Sequence, residues 1–220
     1  MLLSMNVIEL FSSIDGEGKR QGFLTTFLRL HDCNIRCSYC DTLYSYGPES
    51  TFESMSVQAV ADVIEQLENH RITITGGEPL LQEIAVIELI DELTRRNPGY
   101  DFNIETNGTI IPSFHRDNVW FTYDYKTPSS LAEEAMNLDI FKVATPADII
   151  KFVVGSMQDL DRMNEILKTY PTDAQIFVSP VWGNIEGATI VEYMKAHNWQ
   201  NVRFQLQIHK FIWDPDAKGV

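Results

Sequence analysis

Every cysteine of the chain lies in one short run, Cys33-Asn34-Ile35-Arg36-Cys37-Ser38-Tyr39-Cys40, spaced C-x3-C-x2-C and followed directly by Asp41-Thr42. A cubane 4Fe–4S cluster normally takes four cysteine thiolates, one per iron. Three thiolates leave one iron without a protein ligand, which opens that iron to a small molecule. Spacings of three and two residues suit a tight loop wrapped around one cluster, with all sulfurs turned inward as neither a regular helix nor a strand would turn them. Other chemistries compete for the same residues. His31 stands two positions before Cys33, so a closed Cys3His zinc site is an alternative, and unligated core cysteines are another. Disulfides are disfavoured by the odd count and by the absence of a secretory segment.

The composition suits a single globular domain over residues 1–220, with 44% hydrophobic and 11% aromatic residues. Seventeen basic residues against 31 acidic ones leave a net charge of −14. That balance repels polyanions, so extended nucleic-acid binding is not expected, although a small anion can still be held locally. No apolar run approaches the ~20 residues that span a bilayer, and Met1-Leu2-Leu3 is too short and uncharged to serve as a signal peptide. A cytoplasmic location is the expectation.

The elements that must hold the cysteine run alternate between strand and helix. Strands are predicted at Asn6 to Phe11, Phe23 to His31, Arg71 to Thr75, Asp101 to Glu105, Val119 to Lys126, Asp148 to Val154, Ile176 to Val178 and Val202 to Gln207. Helices are predicted from a Ser56 cap to about Asn69, at Ile84 to Arg96, on Met157 to Leu167, and around Ile185 to His197, from apolar residues at helical spacing. Alternation of this kind predicts an α/β fold with a parallel sheet. Such a sheet carries its sites at the carboxyl ends of its strands, where polar or glycine-rich groups recur: Gly76-Gly77-Glu78-Pro79, Glu105-Thr106-Asn107-Gly108, Asp124-Tyr125-Lys126-Thr127-Pro128 and Ser179-Pro180-Val181-Trp182. Arg29 sits in a strand expected to be buried, which makes it a candidate carboxylate anchor or half of an internal salt bridge. Asp124 and Lys126 alternate onto one face and could pair with each other. The loop Ile14-Asp15-Gly16-Glu17-Gly18 reads as a hairpin connection, and the end beyond Pro215 as a solvated tail.

The C-x3-C-x2-C spacing, with Tyr39 before the last cysteine and Gly-Gly-Glu-Pro further on, resembles the signature of the radical S-adenosylmethionine (SAM) enzymes. Read together with the Ile14 to Gly18 loop and the Cys-Asp-Thr run, it is similar to the 7-carboxy-7-deazaguanine synthases of queuosine biosynthesis, from about residue 6 to 215. The resemblance implies an open, abbreviated partial (β/α) barrel of radical SAM type. It implies a 4Fe–4S cluster on Cys33, Cys37 and Cys40, Mg2+ on Thr42, and SAM held by Tyr39, Gly77, Glu105, Asn107, Asp124, Tyr125, Lys126 and Ser179. The substrate, 6-carboxy-5,6,7,8-tetrahydropterin, would meet Ile14, Asp15, Gly16, Arg29 and Thr75. A reducing donor such as a flavodoxin and a homodimer are the partners expected. This chain departs from the family pattern at Asp15, where glutamine is expected, at Leu131, where glycine is expected, and at Ser179, where glutamine is usual. A radical SAM activase acting on a glycyl partner protein and a non-enzymatic metal-binding regulatory module are the alternatives.

Overall fold

The computed structural model describes residues 3–220; Met1 and Leu2, part of the Met1-Leu2-Leu3 stretch read above, lie outside the described residues. Among the described residues nine strands form one sheet: β1 (Ser4–Ile14), β2 (Leu24–Leu30), β3 (Glu53–Ser56), β4 (Arg71–Gly76), β5 (Asp101–Thr106), β6 (Val119–Lys126), β7 (Ile149–Val154), β8 (Gln175–Pro180) and β9 (Val202–Phe204). Their order is β3-β1-β2-β4-β5-β6-β7-β8-β9. Strands β2 and β4 to β9 run parallel, and β1 is antiparallel to both of its neighbours. The sheet does not close, as the abbreviated barrel predicts.

Helices α1 (Val57–Gln66), α2 (Glu83–Arg96), α4 (Met157–Thr169) and α5 (Gly187–Ala196) are the long ones, with single turns α3 (Ile140–Val143) and α6 (His209–Ile212). Ser56 caps α1 as expected, its Oγ accepting from Ala59 N–H. The stripe Val57, Val60, Ala61 and Ile64 is buried, and α2 buries Val86, Leu89, Ile90 and Leu93 in the same core.

The parallel strands bury both faces, but with different residues. Leu28, Ile74, Ile104, Phe152 and Val178 are fully buried in the apolar core. Their strand neighbours Arg29, Thr75, Glu105 and Lys151 line a cleft on the opposite side, since successive side chains of a strand alternate. Parallel register carries that parity from strand to strand, pairing Arg29 with Thr75, Asp124 with Lys151 and Val153 with Ser179.

Several boundaries differ from expectation. The first helix ends at Gln66 because Glu68 turns into the left-handed region, at φ 52°. The last strand stops at Phe204; Gln205 N–H still donates to Val178 C=O, and its side chain pairs with both backbone groups of Gly18 at 2.7 and 2.9 Å. Edge strand β3 was not foreseen; it is short and takes its register from β1.

Candidate active site

The cysteine loop leaves the carboxyl end of β2 and turns at Asp32, whose φ is 79°. It is tied from three sides. Asp32 N–H donates to Ser45 C=O at 2.9 Å, Asp32 C=O accepts from Glu78 N–H at 2.8 Å, and Ser38 N–H donates to Ser130 C=O at 2.9 Å. Gly77 lies beneath this loop, and a Cβ there would collide with Asp32 C=O and the Cys33 side chain, so glycine permits the approach. Glu78 is wholly buried and accepts from Leu80 N–H, Asn107 N–H and Thr106 Oγ1–H at 2.7–2.9 Å. Its carboxylate thus ties the Gly-Gly-Glu-Pro turn to the end of β5.

Cys33, Cys37 and Cys40 all line the cleft and are free thiols. Burial pushes the Cys37 thiol up to about 11, with nearby Lys126 working the other way; binding of iron would displace such a proton, because thiolate is the ligand. Among the described residues, no three His, Cys, Asp or Glu side chains converge as ligands of a single ion. His31, the fourth ligand of the zinc alternative, stacks instead on Phe52 with ring centroids 4.3 Å apart. Three soft sulfurs around a shared opening suit a cluster, which is broader than one ion.

A chain of charges, buried at Lys151 and half-buried at its neighbours, lines the cleft. Lys126 Nζ lies 3.1 Å from Asp124 Oδ2, Lys151 Nζ lies 3.5 Å from that same oxygen, and Lys151 Nζ also lies 2.7 Å from Glu17 Oε1. Burial works to raise Asp124, but Lys126 and Lys151 outweigh it and hold the carboxylate below the usual range. Glu105 behaves oppositely: burial lifts it to about 7, opposed by Lys151 and reinforced by Glu17 and Asp15. Three buried atoms on this side have no hydrogen-bond partner among the described residues: Glu17 Oε2, Asp124 Oδ1 and Ser179 Oγ. Unpartnered buried oxygens are costly, and the two carboxylates carrying such oxygens line the cleft.

Most of the expected residues line this cleft: Ile14, Asp15, Gly16, Arg29, Cys33, Cys37, Tyr39, Cys40, Thr42, Thr75, Gly77, Glu105, Asn107, Asp124 and Lys126. Arg29 makes the salt bridge that was its structural alternative, Nε to Glu9 Oε1 at 2.6 Å, and its two terminal guanidinium nitrogens make no hydrogen bond among the described residues. Tyr39 is anchored by its hydroxyl to Val153 C=O at 3.2 Å. Asn107 spends its amide on Asn34 Oδ1 at 2.9 Å and sits 3.7 Å from Cys33 Sγ.

One expected residue, Tyr125, is placed away from the cleft, and Asp15 and Ser179 are held differently from the rest. The Asp15 side chain turns inward to Arg20 Nε at 3.1 Å and Thr25 Oγ1 at 2.9 Å, and its backbone N–H and C=O pair with Phe23 C=O and Gly22 N–H. Tyr125 lies on the helix-covered face, 1% exposed, with its hydroxyl on Glu133 and its ring against Phe152; strand parity sends it away from Asp124 and Lys126. Ser179 is wholly buried beside the cleft-lining Val153, and beyond β8 the cleft is lined by Val181 and Trp182. The tail beyond Pro215 is exposed from Asp216 to Gly219, as expected of a solvated end, yet it runs along the cleft. Asp214, Pro215, Ala217 and Val220 line the cleft, with Lys218 Nζ 4.2 Å above the Tyr44 ring.

Glu17, Lys151 and His209 were not anticipated as site residues. Lys151 had a signal, a single cation within Ile149-Ile150-Lys151-Phe152-Val153-Val154. His209 packs where a Gly16 side chain would be, and Ile208 N–H donates to Gly16 C=O at 3.0 Å, so the end of the chain fixes the first loop. Leu131 takes the left-handed conformation (φ 59°, ψ 18°) that glycine suits.

Residues 29–151 match the Radical SAM superfamily. The chain belongs to that superfamily, whose cofactors are a 4Fe–4S cluster and SAM; the three thiols, the Gly77 approach and the unpartnered Asp124 oxygen fit such a pair. Among its relatives, 7-carboxy-7-deazaguanine synthase of Clostridium acetobutylicum is 37% identical over 99% of this chain and 100% of that protein. The Methanospirillum hungatei protein of the same name is 38% identical over 96% of this chain and 86% of its own length. Within the superfamily the chain therefore belongs to the 7-carboxy-7-deazaguanine synthases. The crystal structure of QueE from Escherichia coli shares the fold, with TM-score 0.68, 23% identity, and coverage of 92% of this chain and 93% of that one.

Proposed function

We propose that the protein is a radical SAM lyase that converts 6-carboxy-5,6,7,8-tetrahydropterin to 7-carboxy-7-deazaguanine with release of ammonia. The observation that carries this is one cleft lined both by the three cysteines and by Arg29, a half-buried guanidinium whose terminal nitrogens make no hydrogen bond among the described residues. When bound, the cluster and SAM supply the radical step, as cofactors carry the hard chemistry in such enzymes. The chain's own residues bind, orient and exclude water.

Arg29 receives the substrate carboxylate through paired hydrogen bonds, with Glu9 and Tyr44 holding the guanidinium by way of a shared carboxylate oxygen. Thr42 offers a hydroxyl oxygen to Mg2+, the hard donor that ion accepts. The backbone of Ile14 and Gly16 and the Thr75 side chain face the heterocycle, and Glu105 faces SAM. The Asp124–Lys126 pair and the Gly77 turn hold SAM beside the cysteines. A one-electron reductant such as a flavodoxin, and a homodimer, complete the reading.

Anaerobic incubation of the iron-loaded protein with reductant, SAM and the carboxylated pterin tests it. Appearance of a deazapurine supports the reading. Cleavage of SAM with the pterin returned unchanged overturns the substrate while leaving the class of chemistry in place.

A further inference from the structure

Lys151 is buried in the middle of a central parallel strand, 5% exposed, where a lone ammonium is costly unless it is paired. Its two partners belong to different parts of the cleft. Glu17 comes from the loop after β1, on the side proposed for the substrate, and Asp124 from the end of β6, on the side proposed for SAM. Lys151 takes Oε1 of Glu17, and together with Lys126 it takes Oδ2 of Asp124. Oε2 of Glu17 and Oδ1 of Asp124 are left buried without partners. Each carboxylate is thus half used and half available to a hydrogen-bond donor on a ligand.

We propose that Lys151 is a positioning residue that joins the substrate side of the cleft to the SAM side, holding one oxygen of Glu17 and one of Asp124 so that the other oxygen of each meets its ligand. This rests on the pterin and SAM assignments above. A group that holds a residue of each site couples them, and such coupling is reciprocal, typically about 5–150-fold in affinity. Among the described residues Glu17 keeps only a long contact from Gln207 Nε2, at 3.5 Å, whereas Asp124 keeps the Lys126 ammonium at 3.1 Å. Loss of Lys151 therefore frees Glu17 far more than Asp124.

The test measures SAM affinity of the anaerobic, iron-loaded protein by calorimetry, with and without the carboxylated pterin. In the parent protein the pterin is expected to tighten SAM binding about 10-fold. Lys151→Met is expected to reduce that tightening to under about twofold while weakening SAM alone by less than about threefold, and Lys151→Arg to restore most of it. Retention of the full coupling in Lys151→Met overturns the proposal, as does a loss that Lys151→Arg fails to rescue when it folds with the parent's melting temperature. A parent protein that binds SAM but no pterin counts against the substrate reading, not against this one. That case is decided by a crystal structure of Lys151→Met without ligands. Glu17 turned away from Asp124 supports the proposal, and Glu17 left in place overturns it.

Discussion

Leu28, Ile74, Ile104 and Phe152 sit next in sequence to Arg29, Thr75, Glu105 and Lys151, yet the first set lies among helices and the second around a cleft. On the helix side the requirement is volume and shape, which several apolar residues satisfy. On the cleft side each group needs a particular partner: Arg29 has Glu9, and Lys151 has Glu17 and Asp124. One sheet thus carries a tolerant face and an exacting one, separated by a single step along each strand. Substitutions on the two faces should fail in different ways.

The sharpest separation is expected at the cysteines. Cys37→Ala should abolish turnover and lower bound iron, since a cluster held by two thiolates lacks its third anchor, while the melting temperature of the iron-free protein stays close to that of the parent. Metal analysis beside thermal unfolding checks this. Arg29→Met should follow, with a loss of about 30- to 1,000-fold in kcat/KM for the carboxylated pterin, corresponding to the ~2–4 kcal/mol for truncating one partner of a buried charged contact. A pterin lacking the carboxylate should be nearly indifferent to the change, which separates recognition from general damage.

Ile74→Ala and Thr75→Ala form a pair of neighbours that can break the comparison outright. Ile74 is fully buried on the helix side, so its truncation should cost about 2–5 kcal/mol of stability and leave kcat/KM within about twofold. Thr75→Ala should do the reverse, raising KM with a stability change under about 1 kcal/mol. If both variants lose stability and activity in parallel, the two faces are not separable.

The smallest effect concerns Glu105, whose folded-state value is raised by burial to about 7 from 4.5. A carboxyl raised on folding binds its proton more tightly in the native state. The ligand-free protein should therefore lose stability as pH rises from the unfolded value toward about 7. Glu105→Gln should remove that dependence, raising the melting temperature by a few degrees at about pH 8 and hardly at all near pH 4.5. Thermal unfolding of the two proteins across this range reads the difference directly.

Much of this arrangement was legible in the chain. The cysteine spacing and the glycine pair after a β-branched strand announced the site, and alternating periodicities announced the sheet that carries it. Tyr125 was misplaced although the alternation of Asp124 and Lys126 already implied its opposite direction. Asp15 was not legible, because its partner Arg20 approaches only after the hairpin forms. Lys151 was visible as an odd cation in an apolar strand, but its partners Glu17 and Asp124 are 134 residues away on one side and on the neighbouring strand on the other. The tail reads as solvated because it is polar and terminal, and only tertiary packing brings it over the cleft.

On the proposed function, Cys33, Cys37 and Cys40 would hold a cluster with one iron left for SAM. Electron paramagnetic resonance of the reduced, iron-loaded protein tests this most directly. Addition of SAM should change the spectrum of the cluster itself, and Cys37→Ala should show no such cluster to change. A spectrum that stays the same when saturating SAM is added, or a protein that purifies anaerobically with one zinc and no iron, would contradict the account.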